Sequence, residues 1–297
     1  MRTTGFIAIV GRPNVGKSTL LNSLIGEKLA IVSRKPQTTR NKITGILTSG
    51  ETQYVFMDTP GMHTPKTKLG DRMIEQTNSA LAGVDAVILM VEPIASPGEI
   101  ELGLIEKIKK ADLPCILAIN KTDRSNPVII GDTIKAYAEK HDFDAVVPIS
   151  AIKSKGVEAL LSEIDKFLFE SDWFFPDDAI TDQPERVIAA EIIREKILRT
   201  CDDEIPHGTA VVIEEFKEER RLLRIRAEIF CEKATHKGII IGKNGAQLKL
   251  IGSRAREDLE KFFGTKVFLD LWVKVKENWR NSDVLLANFG FNNTDND

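Results

Sequence analysis

Over its first 170 residues the chain alternates short apolar runs with longer segments of helical spacing. The runs Ile7–Val10, Ile43–Leu47, Tyr54–Met57, Ala86–Val91, Cys115–Asn120 and Ala145–Ile149 predict strands. Ser18–Ile25, Lys68–Leu81, Pro97–Lys110, Ile129–Lys140 and Val157–Phe169 predict helices. Four of the six strands are continuously apolar, the pattern of a mainly parallel sheet with helices on both faces. The second strand alternates and ends at Ser49-Gly50-Glu51, which predicts a hairpin with Tyr54–Met57 and one antiparallel edge. Beyond this the pattern changes. Trp173-Phe174-Phe175-Pro176-Asp177-Asp178 breaks the helical spacing and reads as a linker whose aromatics pack between domains. Pro184–Thr200 puts Val187, Ile188, Ile192, Ile193, Ile197 and Leu198 on one helical face. Thr209–Glu215 and Leu222–Cys231 predict strands joined by the charged turn Lys217–Arg221. A short apolar turn, Gly238–Ile241, a helix carrying Leu248, Ile251, Ala255 and Leu259, and a strand Thr265–Val275 complete the pattern. The expected division is an α/β domain over 1–172, a linker over 173–183, an α+β domain over 184–285 and a flexible tail over 286–297.

The first strand runs into Gly11-Arg12-Pro13-Asn14-Val15-Gly16-Lys17-Ser18-Thr19, and a helix follows. A G-x-x-x-x-G-K-S between strand and helix is a P-loop, whose inward N–H groups cradle phosphate. Gly11 and Gly16 permit the curl, Lys17 reaches the β- and γ-phosphates, and the Ser18 hydroxyl suits Mg²⁺. Ligands on such sheets bind at the carboxyl ends of the strands, where the next motifs fall. Asp58-Thr59-Pro60-Gly61 supplies a carboxylate to the Mg²⁺ shell and a backbone N–H for the γ-phosphate. Asn120-Lys121-Thr122-Asp123 places an aspartate that accepts hydrogen bonds from N1–H and the 2-amino group of guanine, a donor pair adenine lacks. Ser150-Ala151-Ile152 lets backbone N–H approach the guanine carbonyl.

These motifs in this order resemble TRAFAC-class GTPases of the Era/TrmE-like group. The resemblance makes Ser33–Arg40 the first switch, with Thr39, or alternatively Thr38, closing over Mg²⁺. Lys17, Thr39, Asp58 and Gly61 are then the catalytic set, and Ser18, Thr39 and Asp58 hold the metal. Ras-like enzymes carry a water-orienting glutamine after D-x-x-G. Met62 stands there, and an apolar side chain cannot polarise water. Asn14 either braces the loop or helps to hold K⁺, as the matching asparagine does in related GTPases. His63 reads as an exposed switch residue rather than a base. Arg34 and Arg40 read as surface positions rather than internal arginine fingers. Slow turnover follows, which suits a switch built on residues 31–40 and 61–71.

In the second half, Gly242-Lys243-Asn244-Gly245 lies between two helices in the order α-β-β-α-α-β, which resembles a type II KH domain. Such a turn clamps the backbone of single-stranded RNA, with bases in an adjoining apolar groove. Lys237, Ile241, Gly242, Lys243, Asn244, Gly245 and Lys249 are the expected RNA contacts. The net charge is -3 overall, yet residues 230–282 hold 11 Lys and Arg against 6 Asp and Glu, a balance of +5. A GTPase domain followed by this module resembles the Era family of bacterial GTPases. That implies binding near the 3′ end of 16S rRNA, assistance to small (30S) subunit assembly, and GTP and GDP as ligands. A GTPase tied to RNA modification, and an RNA chaperone that only holds nucleotide, are the rival readings.

Composition adds little beyond this. At 297 residues, 42% hydrophobic and 29% charged, the chain has material for two ordinary cores. Its three cysteines show neither disulfide nor zinc spacing, which fits a reducing cytoplasm. No signal peptide or apolar run of transmembrane length is seen. The expectation is a cytoplasmic monomer, with peripheral contact at the inner face of the membrane left open.

Overall fold

The computed structural model describes residues 1–33, 35, 37–62, 65–202 and 204–291. The first sheet contains β1 (Thr3–Val10), β2 (Ile43–Ser49), β3 (Thr52–Asp58), β4 (Ala86–Val91), β5 (Cys115–Ile119), β6 (Ala145–Pro148) and the short β7 (Phe169–Glu170). Between them lie α1 (Lys17–Ile25), α2 (Lys68–Leu81), α3 (Glu99–Ala111), α4 (Pro127–Ala138) and α5 (Val157–Ile164). The strand order is β2-β3-β1-β4-β5-β6, with β7 added beside the start of β1. The pairs β1–β3, β1–β4, β4–β5 and β5–β6 are parallel; β2 on β3 and β7 on β1 are antiparallel.

Period-2 alternation divides the apolar residues of these strands between two layers. Ile7, Ile9, Ile88 and Ile116 pack with Leu20, Leu24, Leu160 and Ile164. Ala8, Val10, Leu89 and Leu117 pack with Leu81, Leu104, Ile108 and Tyr137 on the other face. Every residue of β4 and β5 is buried. Each large side chain among them contributes about 2 kcal/mol of transfer free energy.

The second sheet has the order β10-β9-β8. It is formed by β8 (Thr209–Glu219), β9 (Leu222–Cys231) and β10 (Lys266–Val275). The helices are α6 (Glu185–Thr200), α7 (Ala234–Ile241), α8 (Ala246–Phe263) and α9 (Asp283–Asn288). β8 and β9 form an antiparallel hairpin, whereas β10 returns parallel to β9. Ile225, Ala227 and Ile229 meet Ile192, Ile193, Ile197, Ile251, Ala255 and Leu259 in its core.

Several expectations need correction. The predicted apolar turn Gly238–Ile241 is the last half of α7, which begins at Ala234 with polar residues that mask its helical period. The charged segment Lys217–Glu219 continues β8, because much of its length is exposed and tolerates charge. Phe169 is in β7, since α5 gives way to a 3-10 turn at Asp165–Phe167. Residues 286–291 of the expected flexible tail are packed: Leu286 and Phe291 join Trp279, Phe230, Leu69 and Met73 in a third cluster, while residues 292–297 lie outside the described residues. The linker aromatics do not fill the gap between the sheets. Trp173 donates to Glu51 O at 3.2 Å, and the Phe174 ring lies tilted against Phe6 at 4.9 Å, both at the starting edge of the first sheet.

Candidate functional site

The carboxyl ends of β1, β3, β5 and β6 converge on a cleft of about 850 Å³. Pro13, Asn14, Gly16, Lys17, Ser18, Thr19, Thr39, Gly61, Asn120, Lys121, Asp123 and Ile152 line it. Gly11 and Gly16 have φ of 152° and 111°; a Cβ on Gly16 would meet Asn120 Nδ2 at 2.2 Å. The loop therefore closes only around glycine. Gly16 also caps α1 without a side-chain bond, so the first N–H groups of α1 have no side-chain acceptor there.

Lys17 is almost wholly buried, and its Nζ donates to Gly11 O and Arg12 O, each at 3.2 Å. Burial lowers its pKa and the Asp58 carboxylate opposes that shift. Ser18 Oγ donates to Asp58 Oδ2 at 2.6 Å and lies 2.8 Å from Thr39 Oγ1. Thr39 Oγ1 is 3.4 Å from the same carboxylate oxygen. Thr38 instead turns its hydroxyl back to Lys35 O at 2.6 Å. Asp58 is fully buried, and burial raises its pKa to about 6. Its Oδ1 has no hydrogen-bond partner among the described residues. An orphaned carboxylate oxygen on a residue that meets two hydroxyls is an oxygen donor set suited to a hard divalent cation such as Mg²⁺, and the Lys17 ammonium is suited to phosphate instead. Gly61 approaches the loop so closely that a Cβ would meet Pro13 Cα at 2.8 Å.

On the base side, Asn120 Nδ2 donates to Val15 O at 2.8 Å, and its Oδ1 accepts from Ala151 N at 2.9 Å. One side chain thus ties the loops after β1, β5 and β6 together. Ser150 Oγ donates to Asp123 Oδ1 at 2.7 Å, which holds that carboxyl below its usual pKa. Lys121 Nζ reaches Asn14 O at 2.7 Å, and Thr122 Oγ1 donates to Ile149 O at 2.8 Å. Several predicted residues do not line the cleft. Arg12 turns to Glu92 and Glu101 at 3.1 and 3.7 Å, and Val15 is in the core. Thr59 Oγ1 donates to Ile9 O at 2.9 Å, Pro60 O accepts from Thr77, and Met62 packs on the second core layer. Gly11 shapes the loop from behind. Arg34 and His63 lie outside the described residues.

The second site is a groove of about 520 Å³ between α8 and β10. Gly245 and Lys249, two of the predicted RNA contacts, line it together with Leu248, Arg256, Phe268 and Leu271. Lys237 and Ile241 are on α7, and Gly242, Lys243 and Asn244 form the turn that opens α8. Gly242, Asn244 and Gly245 all have positive φ. Phe268 was not anticipated; its signal is an aromatic on the strand face it shares with Lys266, Asp270, Trp272 and Lys274, where it is half exposed.

The largest departure from the sequence reading lies between the sheets. Arg40, expected at the surface, is buried: it donates to Thr209 O at 2.6 Å and His207 O at 2.7 Å. Burial and the neighbouring Arg194 guanidinium both disfavour its charge. The charged run in α6 is equally enclosed, with Arg194, Glu195 and Lys196 all buried. Glu195 accepts from Lys28 at 2.6 Å, Lys196 at 2.7 Å, Arg199 at 2.9 Å and Val32 N at 3.1 Å. Burial opposes its charge, but these bonds outweigh it and hold the carboxyl below its usual pKa. A depressed folded-state pKa stabilises in full above the unfolded value and is lost as pH falls through the folded one. Glu195→Gln should therefore cost about 3 kcal/mol at pH 7. Thermal unfolding measured between pH 7 and 3.5 should show the gap to the parent closing below about pH 4.5.

A P-loop fold with the N-K-x-D loop after β5, joined to a G-x-x-G helix turn on a three-stranded sheet, defines a GTPase coupled to a KH module. The family described as "50S ribosome-binding GTPase" matches residues 6–121, and the KH domain family matches residues 204–280. GTPase Era of Ruminiclostridium cellulolyticum is 48% identical over 97% of this chain and 97% of its own length. The chain belongs to the GTPase Era family. Among solved structures, Era in complex with MgGDPNP and nucleotides 1506–1542 of 16S ribosomal RNA is similar at 39% identity and TM-score 0.94, covering 98% of this chain and 99% of that one. An Aquifex aeolicus Era variant bound to GDP.AlF4- is similar at the same identity and TM-score, covering 97% of this chain and 99% of that one.

Proposed function

We propose that this chain is a GTP-hydrolysing switch that binds single-stranded RNA near the 3′ end of 16S rRNA and assists small (30S) subunit assembly. The observation that carries the reading is the convergence of Ser18 Oγ, Thr39 Oγ1 and Asp58 Oδ2 within 3.4 Å beside buried Lys17. Ser18, Thr39 and Asp58 would hold Mg²⁺, which would supply positive charge to neutralise that developing on the phosphates. Lys17 binds the β- and γ-phosphates, Gly61 N–H meets the γ-phosphate, and Asp123 selects guanine. Met62 cannot orient water, so turnover is slow and the water is positioned by backbone; Asn14 is the residue that would hold a K⁺ ion, which would add positive charge there.

Gly242–Gly245 clamps an RNA backbone while bases enter the groove along Leu248, Lys249 and Phe268. The solved relative that carries 16S nucleotides spans almost the whole of both chains and supports the small subunit. The "50S" of the matched family's description covers only residues 6–121, so it weighs less. In this reading residues 1–172 form the GTPase domain, 173–183 the linker and 184–291 the RNA-binding domain, including the packed segment after 285. No described helix is long and apolar enough to cross a membrane. The chain works as a cytoplasmic monomer.

Steady-state GTP hydrolysis in KCl and in NaCl, with and without RNA carrying the 16S 3′ end, tests the proposal. Turnover should be faster with K⁺ and with the RNA. Equal rates in both salts would remove Asn14 from the mechanism, and indifference to an RNA that binds tightly would reduce the second domain to a tether.

A further inference from the structure

Thr39 is held from both flanks by the second half of the chain. On one side, the Thr38 carbonyl accepts from Arg194 Nη2 of α6. On the other, the Arg40 side chain enters a cage of backbone carbonyls: Thr209 O at 2.6 Å, His207 O at 2.7 Å and Pro206 O at 3.4 Å. These oxygens come from the 3-10 turn Pro206–Gly208 and the first residue of β8, and Trp279 lies 5.8 Å from the guanidinium. Arg194 is itself aimed by Glu191, through bonds of 2.8 Å from Nε and 2.7 Å from Nη2.

Both guanidinium groups are buried, and Arg40 Nε and Arg194 Nη1 have no hydrogen-bond partner among the described residues. Arg40 pairs with carbonyls rather than with a carboxylate among those residues. Enclosing a cation this way is unfavourable compared with an apolar contact of the same size. Adhesion between the sheets is already supplied by the Leu69, Met73 and Phe291 cluster and by the Lys28–Glu195 pair. What these arginines add is position. The residue between their two anchors is the one whose hydroxyl stands 2.8 Å from Ser18 Oγ.

We propose that the RNA-binding domain acts as an in-chain ordering element for the first switch, with Arg40 and Arg194 as positioning residues that hold Thr39 at the metal. The proposal rests on the GTPase reading above. A loop ordered before the nucleotide arrives loses less conformational freedom when Thr39 closes on the metal and the γ-phosphate. GDP lacks that phosphate and gains little from the closure.

The test uses the full chain with Arg194→Ala, Arg194→Lys and Arg40→Lys, with Glu191→Gln as the mild variant should the others fail to fold. Arg194→Ala should lower kcat by about tenfold. Its ratio of GDPNP to GDP affinity in Mg²⁺ should fall by a similar factor, with GDP affinity itself within about twofold. Arg194→Lys should recover part of both effects, and Glu191→Gln should show a smaller loss of the same kind. An unchanged kcat and affinity ratio in a folded variant would overturn the proposal. So would a parallel loss of GDP and GDPNP affinity, which marks general damage. If the parent itself fails to hydrolyse GTP, the GTPase reading is what fails, and the affinity ratio alone then decides for or against the ordering role.

Discussion

Asp123→Asn should lower GTP affinity by about three orders of magnitude while shifting preference to xanthine nucleotides. The carboxylate is fixed by the Ser150 hydroxyl at 2.7 Å, so it meets the base in one orientation. Guanine presents two donors along one edge, N1–H and the 2-amino group, and an ionised carboxylate has two acceptors to match. An asparagine keeps one acceptor and offers an N–H where guanine offers another, which leaves a donor pair unsatisfied in a partly desolvated place. Xanthine carries a carbonyl at that carbon and restores the match. The substitution spares the fold, because Asp123 lies in a loop turn and an asparagine oxygen can still accept from Ser150. Competition binding with GTP, GDP and XTP reads the effect directly. Unchanged guanine selectivity would remove Asp123 from the base site and leave the recognition to Ser150–Ile152.

The parts of this molecule that were legible in the sequence share one physical property: their signal is local. β4 and β5 are buried on both faces, so their apolar runs cannot be mistaken for half-exposed strands. The P-loop glycines and the Gly242–Gly245 turn have positive φ or close approaches that few other residues tolerate. The geometry separates Thr39 from Thr38: one hydroxyl faces Asp58, the other its own loop.

What stayed hidden depends on tertiary partners. An arginine in a switch loop looks solvated until Pro206, His207 and Thr209 supply carbonyls from 169 residues away or nearly so. Nothing in the run Arg194-Glu195-Lys196 marks it as buried, yet α6 is enclosed between the first switch and the second sheet. The tail misled for the opposite reason. Phe289 and Phe291 are too few to form a periodic pattern, although Trp279 and Phe230 give them an aromatic bed. Charge on a helix and aromatics near a terminus thus say little by themselves; the neighbour decides whether each is solvated or packed.

Gly242→Asp should reduce affinity for single-stranded RNA by at least about a hundredfold while leaving GDP affinity within about twofold. Two separate effects act at this position. Gly242 has φ of 72° and ψ of 175°, a conformation unfavourable to any side chain, and a Cβ there would lie 2.6 Å from Gln247 Cβ and 3.0 Å from its N–H nitrogen. The turn must then shift away from the helix end it opens. The new carboxylate also sits where an RNA phosphate is expected, next in sequence to Lys243, and repels it. Gly245 distinguishes the two causes. It too has positive φ, 77°, but nothing lies within 4 Å of a Cβ placed on it. Gly245→Asn adds no charge and tolerates that backbone, so it should keep most of the RNA affinity, whereas Gly245→Asp should lose it through charge alone. Measured by RNA titration at one salt concentration, equal losses for Gly245→Asn and Gly245→Asp would make the turn's bare backbone the essential feature. Retained binding by Gly242→Asp would place the RNA on another surface altogether.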